Sequence, residues 1–244
     1  GAGLAELDAA LPRVAAQTVD AAPAVKPLAS DGGETTPFEA AMVLFDHDTE
    51  VGYDEAEKQL EKNRSEDAGQ DGQVLAALAR VNAAWARLYE DRARLIEDRD
   101  KRAAEQLRAE AKRKLVRAKK FADDAQRRAP ASQLLALAQA EVQTLDKGRA
   151  RQIERLLLKA HDHPDRTYVA ALLRIRDGKD GTTALEDAVR IYESATGRKH
   201  LRARYQLAWL AYVAQDAAQA NAVLDEIFAV APEHARAIEL KALV

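Results

Sequence analysis

The sequence predicts an all-α protein built from antiparallel helix hairpins, and three observations carry that prediction. Alanine and leucine dominate the apolar residues, while aromatics fill only 5% of the 244 positions. Alanine, leucine, arginine, glutamate and lysine lose least on entering a helix. Next, Pro130, Pro164 and Pro232 are spaced by 34 residues and then by twice 34. A fixed period of that size marks stacked two-helix units. Finally, residues 73–129 contain neither glycine nor proline, so nothing local breaks a helix there.

Taken in order, residues 1–36 are alanine-rich and hold three of the seven prolines. They read as a linker with at most a short helix near Leu4–Leu11, and a linker at the start raises the expectation of a domain or anchor upstream. The first unit, 37–70, opens with Thr36 as N-cap, Pro37 in the first turn and Glu39 closing a capping box. It continues through GYDEAEKQL, with Ala56 and Leu60 four apart on one face.

Residues 72–130 form the second unit. As a single helix it would run about 85 Å at 1.5 Å per residue. The heptad spacing instead gives two seams, Val74, Leu78, Val81, Trp85, Leu88 and Leu95, then Ala104, Leu107, Ala111, Leu115, Ala118, Ala122 and Ala125. Two antiparallel arms that reverse near 97–103 would bury both seams, as an elongated coiled-coil-like hairpin projecting from the stack. The basic run AKRKLVRAKK, 111–120, then lies on the return arm, with Lys112 and Arg113 beside Glu90 and Asp91.

Units 131–164, 165–198 and 199–232 follow, and 233–244 is a capping or truncated helix. In 165–198 the terminating proline is missing and Gly197 serves as the C-cap. In 199–232, Leu207 and Ala208 lie in one helix, Ala220 and Leu224 in the next, and Pro232 ends the pair. Small residues at 208 and 220 let the two helices approach closely.

Those positions resemble the tetratricopeptide repeat family. Ala208 stands at the family's glycine, Arg204 at its first aromatic, Ala211 at its tyrosine, and Ala220, Leu224 and Pro232 fit the second helix. Leu137, Ala138 and Ala150 match upstream, with Pro164 two residues late. The resemblance implies an α-solenoid whose first helices line a concave groove for peptides or partner helices.

A face on those first helices fits that role. Arg202, Tyr205, Trp209 and Tyr212 fall at spacings of 3, 4 and 3, one side of a helix. Arg166 and Arg176 take comparable places in the unit before, and Gln139 in the one before that. Tryptophan, tyrosine and arginine are the residues enriched at binding hot spots. The expected function is a non-enzymatic protein-binding scaffold for a protein or peptide partner, an acidic segment being the natural ligand class. Self-association through the long hairpin is the alternative, and nucleic-acid binding through 108–120 is disfavoured by the net charge of −3.

No G-x-S-x-G, Walker loop, dinucleotide glycine motif or H-E-x-x-H occurs, so neither an enzyme nor a cofactor is expected. Without cysteine, disulfides and thiolate chemistry are excluded, and the composition suits a bacterial cytoplasm or cell envelope equally. No apolar run approaches the roughly 20 residues that span a bilayer. His161, Asp162, His163 and Asp165 lack a helical face for a metal and read as a polar turn, with aspartate capping the next helix. The stretches DHDTE, 46–50, and DGKDG, 177–181, lack calcium-loop spacing and read as turns.

Overall fold

The computed structural model describes residues 36–244, so the linker expected over 1–36 lies outside it except for Thr36. The described residues are all-helical, with eleven α-helices and no strand. These are α1 (Pro37–Asp46), α2 (Glu50–Lys62), α3 (Ala68–Ile96), α4 (Lys101–Arg128), α5 (Gln133–Leu145) and α6 (Ala150–Lys159). They continue with α7 (Arg166–Arg176), α8 (Thr182–Thr196), α9 (Leu201–Val213), α10 (Ala217–Phe228) and α11 (Ala235–Lys241). Each odd-numbered helix up to α9 packs against the helix that follows it, and α3, α5 and α7 also pack in succession.

Several local signals act as the sequence predicts. The Thr36 hydroxyl accepts from the Glu39 amide at 3.2 Å, and the Glu39 carboxylate accepts from the Thr36 amide at 2.9 Å. Both orphan donors of the first turn are thereby satisfied. Gly197 ends α8 in the left-handed region, φ +69°, where a Cβ would be strained.

The chain reverses between α3 and α4, and Asp100 restarts the helix by accepting from the Ala103 amide at 2.9 Å. The two arms are antiparallel along their full length: a Cβ on Gly72, in the first turn of α3, would overlap the Ala129 methyl just beyond α4. Only glycine lets the open ends of the hairpin close this tightly.

One expectation about this hairpin is corrected. It does not project from the stack. Helix α3 is buried along most of its length, from Asp71 to Leu95, with α4, α5 and α11 packed around it. Near its tip, Arg92 donates to Glu239 of α11 at 2.7 Å and also pairs with Glu50 of α2. The physical reason lies in α3's composition: apolar residues and alanines occur all round it, so it is stable only when enclosed.

The basic run is corrected in part. Lys112 shares a cleft with Glu90 and Asp91 but forms no ion pair among the described residues, and Arg113 pairs with Glu110 on its own helix. Lys114 and Arg117 instead reach Glu57 on α2, at 3.2 and 3.0 Å, while Lys119 reaches Asp146 after α5 at 2.7 Å. Lys114 also stands 3.1 Å from the centre of the Trp85 ring. The run therefore bolts the return arm to the units on either side.

Candidate functional site

The centre of the molecule is built around the turn that links α1 to α2. Phe45, in the last turn of α1, is fully buried, and Asp48 adopts φ +55° with its carboxylate enclosed. Asp46 accepts from the Tyr192 hydroxyl at 2.6 Å and lies 3.0 Å from Arg198 Nε. Asp48 accepts from Tyr53, from His234 Nε2 at 3.0 Å and from Arg236. The sequence reading of this DHD stretch as a plain turn misses that both aspartates reach across to the C-terminal half.

Two histidine-X-arginine stations receive them, His200-Leu201-Arg202 and His234-Ala235-Arg236, one 34-residue period apart. Each histidine caps its own helix through Nδ1, which accepts from the Ala203 amide at 3.4 Å and from the Ala237 amide at 3.3 Å. An accepting Nδ1 leaves the proton on Nε2, and Nε2 faces Asp165 in one station and Asp48 in the other, 3.0 Å away in both.

The arginines complete two buried ionic clusters. Arg202 reaches Glu141 at 3.3 Å and Asp165 at 3.0 Å, and lies over the Phe45 ring at 4.2 Å. Arg80 of α3 shares both carboxylates, holding Glu141 with two bonds of 3.1 Å. Arg236 bridges Asp48 and Asp91, the latter at 2.7 Å, and lies 4.1 Å over Tyr205. Burial alone would raise the Asp48 and Asp165 carboxyls. The guanidiniums beside them outweigh it and hold both well below the usual carboxylate range. At Asp46 burial prevails over Arg198, and its carboxyl is raised.

The structure divides the predicted binding residues into two groups. Arg202 and Tyr205 are 3% and 1% exposed, Arg202 being occupied by Glu141, Asp165 and the Phe45 ring and Tyr205 by the Arg236 guanidinium. In this fold they are core residues and offer a partner no surface. The helical period placed them on one face correctly; it could not show that α1–α3 covers that face. Trp209 and Tyr212 remain half-buried, with ring centres 5.7 Å apart. Arg176 is half-buried and donates to the Gly148 carbonyl at 2.8 Å. Arg166 is half-buried, and Gln139 donates to Gln126 of α4 at 3.0 Å.

Trp209 and Arg176 line one open cleft of about 690 Å³ between the distal part of the α3–α4 arm and the helices α5, α7 and α9. Leu115, Leu145, Leu172 and Ile175 give it apolar walls, and Arg94 lies 5.6 Å over the Trp209 ring. A second groove, of about 730 Å³, opens at the far end beside Phe38, Met42, Val74 and Leu134.

The HDHPD turn departs from its expected role. Asp165 stands at the N-cap of α7 but makes no cap bond, because both its oxygens face the buried cluster. His163 sits beside that cluster, and burial, reinforced by Arg80, lowers its imidazole to about 4. Among the described residues no group of three or more histidines and carboxylates is disposed to hold a metal ion, and no helix is long and apolar enough to cross a membrane.

The stations were findable in the sequence. His200 and Arg202 recur at His234 and Arg236 at the same period as the prolines, a more specific echo than the aromatic stripe. Comparison with family models, with curated proteins and with solved structures returns no match, so a functional reading rests on the geometry itself.

Proposed function

We propose that this chain is a non-enzymatic protein-binding scaffold, a tetratricopeptide-like stack of helix hairpins that holds a segment of another protein in the cleft beside Trp209. One observation carries the reading: five helices converge on an open concavity of about 690 Å³ lined by a half-buried tryptophan. Clefts of several hundred Å³ with apolar walls and a few fixed polar groups are where proteins take ligands. A tryptophan left half-open there is a strong anchor for a partner side chain. The five consecutive helix pairs and the recurring His-X-Arg stations support the repeat architecture.

The filling of the inner face by α1–α3 moves the binding surface. The expected groove along Arg202 and Tyr205 is closed, and the remaining concave surface lies one turn further along α9, at Gln206 and Trp209. A displayed library of random peptides, panned on the full chain, tests the reading. Enriched peptides should lose at least about tenfold in affinity on Trp209→Ala, the scale of one hot-spot side chain. Binders indifferent to that change, or no binders, would refute it.

A further inference from the structure

We infer that the cleft beside Trp209 is specific for an acidic peptide segment, one that presents carboxylates interleaved with apolar side chains. The inference rests on the protein-binding reading above and names its ligand class. The chain carries a net charge of −3, yet the cleft concentrates the opposite sign. Six cations line it, Arg87, Arg94, Arg108, Lys112, Lys147 and Arg176, against two carboxylates, Glu90 and Asp91.

The pairing inside the cleft sharpens that imbalance. Asp91 is already engaged from behind by Arg236 at 2.7 Å and by the Gln206 amide at 3.0 Å, leaving Arg94 only a 3.9 Å contact with it. Arg108 is held in a fork by Glu97, and Arg176 by Asp177. Among the described residues Arg87, Lys112 and Lys147 make no ion pair at all. Cations gathered in a concavity with apolar walls focus a positive potential, because the low-dielectric walls do not screen it.

The walls decide between anionic ligands. Leu115, Leu145, Leu172 and Ile175 line the cleft together with the charged groups. A peptide can match that mixture by burying apolar side chains and pairing its carboxylates. A nucleic acid needs a continuous basic track and several aromatic faces for stacking. Here Trp209 is the one aromatic residue among those that line the cleft, and a phosphate backbone laid in it would meet the Glu90 carboxylate.

The test uses the full chain and the same displayed random-peptide library, panned in parallel on wild type, Trp209→Ala and the double reversal Lys112→Glu/Lys147→Glu. Both lysines are exposed, and circular dichroism verifies that the variants stay folded. Sequences selected on wild type should be enriched in aspartate and glutamate, and their affinity should fall with salt. The double reversal should weaken them at least about tenfold. Trp209-dependent binders without acidic enrichment, or with unchanged affinity for the double reversal, would overturn the acidic class and leave the scaffold reading standing. Absence of any Trp209-dependent binder would overturn both. A single-stranded oligonucleotide that binds as tightly as the selected peptides, and loses affinity on the same reversal, would overturn the peptide assignment in favour of nucleic acid.

Discussion

Asp48, in the first interhelical turn, is hydrogen-bonded to Arg236 of the last helix, 188 residues further on, and both side chains are enclosed. This pair joins the ends of the described chain and makes the helix stack a closed body. A buried ion pair contributes little net attraction, since desolvation offsets the Coulomb term, but breaking one is costly because a charge is left unpaired. Asp48→Asn should therefore destabilise the fold by about 2–4 kcal/mol. Arg236→Met should cost more, since it removes the guanidinium that pairs with both Asp48 and Asp91. Urea unfolding of the two single variants and the double variant should show strong coupling, and additive effects would mean the pair is not formed in solution.

Closure of the long hairpin depends on Gly72. Gly72→Ala should cost about 1–3 kcal/mol, the usual penalty of overpacking, because its Cβ would meet the Ala129 methyl. Adding Ala129→Gly should recover part of the loss. A neutral Gly72→Ala in thermal or chemical melts would place the two helix ends further apart than described.

The pH dependence has a calculable sign. His163 is lowered to about 4 by burial, whereas an unfolded imidazole titrates near 6.5. Between those values the unfolded chain binds the additional proton, so stability falls as pH drops through that window, by up to about 3 kcal/mol. His163→Gln should flatten urea midpoints between pH 6.5 and 4, relative to wild type. Asp48 and Asp165, held below the ordinary carboxylate range, withdraw their stabilisation only below about pH 4. Asp46 works in the opposite sense, since a raised carboxyl favours the folded state as it protonates.

Gln215 sits exposed in the turn between α9 and α10 with φ +62°. A side chain in the left-handed region costs about 1–2 kcal/mol, which glycine avoids. Gln215→Gly should leave the protein equally stable or raise it by up to about 1 kcal/mol. The same change at Ala214, in the right-handed region, should instead destabilise it.

The helices were legible because their signals are local. The Thr36 capping box, the Gly197 C-cap and the reversal near residue 100 all depend on neighbours within a few positions. The candidate site was only partly legible. The 3.6-residue period sorted α9 into faces, but periodicity does not say what lies opposite a face. Thus Arg202 and Trp209, on one predicted stripe, have different fates: one is sealed beneath Phe45 and the other is left open to a cleft.

By itself, the sequence determined the all-α class, the hairpin spacing and the helix ends, since propensity, capping and proline act over one or two turns. Only the tertiary structure decided that the long hairpin is the axis of the molecule. It alone revealed that Phe45, Glu141 and Asp165 fill the expected groove at Arg202, and that six cations from α3, α4, the turn after α5, and α7 line one cleft with a tryptophan. Those outcomes come from contacts between residues far apart in the chain, where burial and charge are set by what packs against a side chain rather than by what precedes it.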